Sequence, residues 1–96
     1  IMIDGMKYDE GKLRYDLLPP KEIEEIVRVL TMGANKYSDN SWQNLDNGID
    51  RYYSAGMRHL QSWRQGEQID TESGISHLAH AATNIIFLMY LTIRND

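Results

Sequence analysis

The chain has no cysteine among its 96 residues, which excludes a disulfide framework and any thiolate metal site. It has no apolar run of about 20 residues and nothing patterned like a signal peptide, so no membrane partner is expected and a cytoplasmic location is the default. Positive charge is scarce: 10 Lys and Arg stand against 14 Asp and Glu, a formal charge of −4. A duplex nucleic-acid binder needs a net basic face to displace counterions, so that class is excluded. Small anionic ligands remain open, because they need only a local cluster of Lys and Arg. At 42% hydrophobic and 25% charged, residues 1–96 form a single domain with one modest core, too small to be indifferent to a partner subunit.

What is present falls into an irregular head and three helices. Gly5, Gly11 and the pair Pro19-Pro20 break up residues 4–20, which read as an ordered N-terminal loop or small hairpin, with Lys12-Leu13-Arg14-Tyr15 as at most a brief strand. Ile23, Ile26, Val27 and Leu30 then recur at helical spacing behind acidic Glu22, Glu24 and Glu25. They predict a helix over about 21–33, stopped by Gly33. The Asn-, Asp- and Ser-rich stretch 35–48 is a loop holding Tyr37 and Trp42. Ile49, Tyr53, Gly56, Leu60 and Trp63 predict a packing helix over 49–65 closed by Gly66. Asp70 suits an N-cap for a third helix that Ile75, Leu78, Ala82, Ile85, Ile86, Met89 and Ile93 carry to the C-terminus. Its second half is apolar nearly all round. The fold class is therefore all-α, three main helices in an oligomeric bundle, with a homo-oligomer (dimer or higher) expected to cover the apolar surface.

The most informative stretch is His77-Leu78-Ala79-His80-Ala81-Ala82-Thr83-Asn84. His77, His80 and Asn84 stand at i, i+3 and i+7, one stripe that continues into Phe87 and Leu91. A buried imidazole or amide without a partner costs about 1–3 kcal/mol, so the stripe is kept only if its members bond one another, a metal or a ligand. All three histidines, His59, His77 and His80, lie in a window that also holds Glu67, Asp70 and Glu72. Histidines three apart on a helix can share an ion, and His59 on an antiparallel neighbour could complete the set. His59, Asp70, His77 and His80 are the candidate metal ligands. Mixed imidazole and carboxylate donors suit Mn²⁺, Co²⁺ or Zn²⁺, with Mg²⁺ less natural. The bland alternative is that the imidazoles merely fasten two helices, Asp70 caps, and Glu67 and Glu72 are solvated.

Cations form a second constellation. Arg51 and Arg58, seven apart, share a helix face, while Lys7, Lys12 and Arg14 lie in the head; guanidinium and ammonium groups on an acidic chain suggest phosphate binding. Singly, each could only balance surface carboxylates. Trp42 could stack on a base, or anchor its loop on the core.

These residues carry a resemblance. Lys7 to Pro20, Gly33-Ala34-Asn35-Lys36-Tyr37, Asn40-Ser41-Trp42, Arg51-Tyr52-Tyr53, Arg58 to Trp63, Gly66-Glu67, Asp70 to Gly74 and His77 to Ala81 resemble, in order and over nearly the whole chain, the phage-type dATP/dGTP diphosphohydrolase N-terminal family. The resemblance implies a helical domain related to MazG-like pyrophosphohydrolases, which split a nucleoside triphosphate into monophosphate and pyrophosphate with divalent metal. Lys36, Trp42 and Asn84 complete a candidate nucleotide-binding set with Lys7, Lys12, Arg14, Arg51 and Arg58. One departure is plain: MazG-like enzymes carry Glu-Glu-x-x-Glu on one helix and Glu-x-x-Asp on the next. Here Arg28 stands where the third acid would follow Glu24-Glu25, and His77-x-x-His80 takes the second motif's place.

Two function classes follow. The first is metal-dependent hydrolysis of dGTP or dATP, with Glu72 orienting or deprotonating water. The second is a non-catalytic protein that sequesters a nucleotide or nucleotide-derived signal, using protonated histidines as phosphate donors. A purely structural oligomer is the third and plainest option.

Overall fold

The computed structural model describes residues 10–95. Among them are three helices, α1 (Pro20–Lys36), α2 (Gly48–Arg64) and α3 (His77–Asn95), with short 3₁₀ turns at Tyr15–Leu17 and Ser41–Asn44. No strand occurs among the described residues, only an isolated antiparallel bridge between Ile69 and Ser76. The protein is all-α.

Proline starts α1 for a local reason. Pro20 at the first helical position has a preset φ and no N–H to leave unpaired. The helix runs past Gly33 to Lys36, and the Gly33 carbonyl accepts the Tyr37 N–H at 2.9 Å; one glycine costs a helix only about 1 kcal/mol, which is not enough to stop it. Gly66 does close α2. Its φ is +106°, and Glu67 N–H donates to the Ser62 carbonyl and Gly66 N–H to Trp63, both at 3.0 Å, the paired bonds of a Schellman cap.

The start of α3 differs from the expected one. Asp70 does not cap it. Gly74 at φ +75° breaks the chain before a helix can form, and the Asp70 carboxylate instead accepts the Ser73 N–H at 3.1 Å. The helix begins seven residues later, where Ser76 Oγ accepts the N–H groups of Leu78 (3.0 Å) and Ala79 (3.3 Å).

α2 and α3 form the main pair, with α1 packed on α3. The contact face of α2 carries Gly48, Tyr52 and Gly56; of the stripe that periodicity suggested, Gly56 meets α3 while Ile49, Tyr53, Leu60 and Trp63 do not bury. A Cβ on Gly48 would lie 3.1 Å from Leu91 Cδ1 and one on Gly56 3.2 Å from Asn84 Cβ, so the missing side chains let the helices close. Ile49, Tyr53, Met57, Leu60 and Trp63 are left exposed beside that seam, as are Ile85, Ile86, Met89 and Ile93 on α3. Among the described residues the buried apolar side chains are Tyr52, Ala79 and Ala81. A radius of gyration of 16.8 Å exceeds the roughly 12–13 Å of a compact chain of this length. Much apolar surface thus remains uncovered.

Trp42 anchors the 3₁₀ turn. Its ring stacks on Phe87 at 4.3 Å and meets Tyr90 edge-on at 4.8 Å, while the Tyr52 hydroxyl donates to the Trp42 carbonyl at 2.7 Å. Burial raises the Tyr52 pKa, which keeps that hydroxyl a donor. The head shows no hairpin or brief strand among the described residues: Leu13, Tyr15 and Leu17 are exposed around a single 3₁₀ turn. No helix of the described residues is long and apolar enough to cross a membrane.

Candidate functional site

The 67–76 connection between α2 and α3 is a tight loop pinned by its own backbone. Asp70 N–H donates to the Ile75 carbonyl and His77 N–H to Gln68, each at 2.9 Å. This folds Glu67, Asp70 and Ser73 back over the first turn of α3, where His77 and His80 point inward at 3% and 6% exposure. His59, one turn before the end of α2, meets them from the neighbouring helix. His59 is thus brought beside the pair with which the sequence grouped it.

The cluster is a hydrogen-bonded chain. His77 Nε2 lies 2.6 Å from Glu67 Oε1, and His77 Nδ1 lies 2.9 Å from His59 Nδ1. The His59 ring stacks on His80 at 4.4 Å with planes 10° apart. His80 Nε2 reaches Ser73 Oγ at 2.7 Å, with Asp70 Oδ2 at 3.6 Å from the same nitrogen; Ser73 Oγ also accepts the Ile75 N–H at 3.1 Å. No buried side-chain polar atom among the described residues is left unpaired. The stripe therefore answers its own cost with protein partners.

Electrostatics favour the neutral form of His59 and His80. Burial depresses the His59 pKa, helped by the charges His80 and His77 would carry and by Arg58, against Asp70. Burial likewise depresses His80, with Asp70 and Glu72 opposing and His77 assisting. The Asp70 carboxyl is held below its usual range chiefly by the Ser73 hydroxyl and N–H, against burial.

Neutral imidazoles are good metal ligands, yet among the described residues no group of three His, Asp and Glu side chains stands where it could hold an ion. The reason is chemical. The nitrogens that converge are engaged with each other, with Glu67 and with Ser73, so the donor set of His59, Asp70, His77 and His80 does not fit a cage as it stands.

Beside the cluster, a groove of about 940 Å³ runs between α1 and the 73–75 turn, lined by Glu24, Glu25, Arg28, Asn35, Lys36 and Ser73 among others. Arg28 Nε bonds Glu25 Oε2 at 2.7 Å on its wall.

The dATP/dGTP diphosphohydrolase, N-terminal, family model matches residues 3–96. The chain belongs to this family. A curated relative, the dATP/dGTP diphosphohydrolase of Salmonella phage PMBT28, is 38% identical over 87 residues, covering 91% of this chain and 29% of its own length. The chain thus spans less than a third of that relative. No solved structure matches the chain.

The family's site must then be read residue by residue. Glu72, expected as the acid on water, is 84% exposed, 3.8 Å from Lys36 Nζ, and acts on His80 only through its charge; Glu67 and Asp70 are the acids that approach the histidines, at 2.6 Å from His77 and 3.6 Å from His80. Of the expected cations, Lys36 lines the groove. Lys12 is exposed, Arg14 is bonded to Asp16 at 2.7 Å, and Arg51 and Arg58 are exposed on α2; none of these four lines the groove. Lys7 lies outside the described residues. Trp42 is a packing group rather than a free platform for a base. Asn84 is buried at the helix crossing, where its Nδ2 donates to the His80 carbonyl at 2.9 Å, so it serves the α2–α3 seam. Ser73 and Arg28 escaped the sequence reading as site residues. The only signal for Arg28 was its place after Glu24-Glu25, and for Ser73 there was none beyond a loop position.

Proposed function

We propose that this chain hydrolyses a purine deoxynucleoside triphosphate, dGTP or dATP, to the monophosphate and pyrophosphate. The observation that carries the reading is the groove that opens beside Ser73, with carboxylates (Glu24, Glu25) and cations (Arg28, Lys36) on its walls and the imidazole network behind it. Arg28 and Lys36 are suited to neutralising phosphate oxygens. Because the histidines are engaged with one another, a divalent ion (Mn²⁺, Co²⁺ or Mg²⁺) enters as part of the metal–nucleotide substrate, near Glu24 and Glu25, and offsets charge on the phosphates. Glu24 and Glu25, which are followed by Arg28 where a MazG-like motif would have its third acid, lie on that wall. The name of the phage relative agrees with this substrate class.

A second reading is a protein that binds and sequesters the nucleotide without turnover. What favours it is the lack, among the described residues, of a ready-made metal-ligand group. Incubating the protein with dGTP and dATP under each metal, and separating products by chromatography, decides between them. Monophosphate with pyrophosphate supports hydrolysis. Unchanged nucleotide with tight binding by calorimetry overturns it in favour of sequestration.

A further inference from the structure

The α2–α3 pair is antiparallel and in register: Gly48 lies against Leu91, Gly56 against Asn84 and His59 against His77. On each helix a large apolar residue directly follows a seam residue. Ile49, Tyr53 and Leu60 follow Gly48, Tyr52 and His59; Leu78 and Ile85 follow His77 and Asn84, and Met89 lies one turn beyond Ile85. One step along a helix turns a side chain by about 100°, and in two antiparallel helices that step turns both toward the same side of the pair. The six side chains therefore share one face, and each is 39–58% exposed. The opposite side carries the residues that precede the seam: the cations Arg51 and Arg58 on α2, and on α3 the buried Ala79 and Thr83, α1 being the other helix packed on α3.

We propose that this face docks a second copy of the chain about a two-fold axis, so that the two α2–α3 pairs bury their stripes against each other and both grooves stay outside. The area is sufficient. The chain exposes 7865 Å², where a compact monomer of 11.2 kDa exposes about 5,700 Å². The excess, shared by this face and the exposed head, is more than twice the roughly 800 Å² that each partner buries in a standard-size complex. Charge selects the partner. No Asp, Glu, Lys or Arg occurs from His77 to Ile93, so the α3 stripe offers nothing for a charged partner to pair with. Two chains of formal charge −4 repel each other, and they approach at least cost across a face that carries none of that charge. A two-fold contact sets the same apolar patch against itself and needs no second, complementary surface. None of the six residues lines the groove beside Ser73, so assembly and ligand binding use different sides of the molecule.

Sedimentation equilibrium of the full chain should give the mass of two chains, and Tyr53→Glu on α2 and Ile85→Glu on α3 should each halve it while circular dichroism stays helical. Tyr37→Glu, which charges an exposed aromatic outside the face, should leave the mass unchanged. A single-chain mass in the parent protein, or a dimer that survives both charges on the face, overturns the proposal. Cross-linking covers the case in which a charged variant fails to fold. Because the chain has no cysteine of its own, Ile85→Cys and Met89→Cys should join into covalent dimers with a bifunctional maleimide, and Tyr37→Cys should not; the reverse pattern puts the interface elsewhere. The interface stands apart from the hydrolysis reading: a parent dimer that neither binds nor cleaves dGTP sinks that reading and leaves the interface intact. If folded, monomeric Ile85→Glu loses the dGTP affinity that the parent protein shows by calorimetry, the grooves are not outside the interface and the arrangement is wrong.

Discussion

His59 and His80 lie face to face, ring centroids 4.4 Å apart and planes 10° from parallel, although 21 positions separate them. Two imidazolium rings cannot share that stack without strong repulsion, so the contact holds only while at least one ring is neutral. Both rings have pKa values depressed from the usual 6.5, first of all by burial.

A pH dependence of stability follows. The unfolded chain takes up protons on these histidines near pH 6.5, while the folded chain resists until lower pH. The unfolded state therefore binds more protons in that window, and stability present above about pH 6.5 is lost as pH falls below it. Asp70, whose pKa is lowered from 3.8, adds a further loss in the carboxylate range. Thermal melts by circular dichroism from about pH 8 to about pH 5 should show a falling midpoint, and His59→Gln should flatten the decline. A flat profile in the parent protein would refute the assignment.

Gly56 is a second point of test. A Cβ there meets Asn84 Cβ at 3.2 Å, and Asn84 is buried and held by its bond to the His80 carbonyl. Gly56→Val should cost about 1–3 kcal/mol in urea unfolding by forcing α2 off α3. An unchanged midpoint would mean the seam is looser than described.

Trp42→Ala should act on stability rather than on recognition. Truncating the half-buried ring stacked on Phe87 should cost about 1–3 kcal/mol, and Tyr52→Phe, which deletes the hydroxyl that donates to the Trp42 carbonyl, about 1 kcal/mol. Trp42→Phe should keep nucleotide affinity within about twofold, since one aromatic ring can replace another in packing. A large loss of affinity in Trp42→Phe with unchanged stability would restore the base-stacking role.

The exposed apolar surface sets an expectation for assembly. Ile85, Met89 and Ile93 are 56%, 53% and 62% exposed on α3, next to a modest core, and we expect a homo-oligomer to cover them. Light scattering should give a multiple of 11.2 kDa, and Met89→Lys should lower the mass. A parent mass near 11.2 kDa rules the expectation out.

Much of this was legible residue by residue. The helix that follows the Pro19-Pro20 pair, Gly66 closing α2 and the His77–His80–Asn84 stripe all follow from interactions within one turn of the chain, where backbone geometry and side-chain spacing decide the outcome whatever surrounds them. The gathering of three histidines near acids could be anticipated for the same reason: His77 and His80 are helical neighbours and His59 precedes a short connection. Asp70 was misread as a cap because the residue type suits several local bonds. Only the loop, turned by Gly74 and bridged at Ile69 and Ser76, chose the one to Ser73.

The partners within the site belonged to tertiary structure alone. Glu67 rather than Glu72 meets a histidine, and Arg28 with Lys36 rather than Arg51 with Arg58 lines the groove. Periodicity reports which residues share a face but not which face meets a neighbour. On α2, an apolar stripe and a glycine seam lie side by side, and the seam won because Gly48 and Gly56 allow α3 to approach where Ile49 and Tyr53 would hold it away. Sequence thus determined the helices and their polar stripe, while the packing of α2 on α3 and the fold of the 67–76 loop decided which nitrogen faces which oxygen. Hydrogen bonds between elements depend on fractions of an ångström that no spacing along the chain encodes.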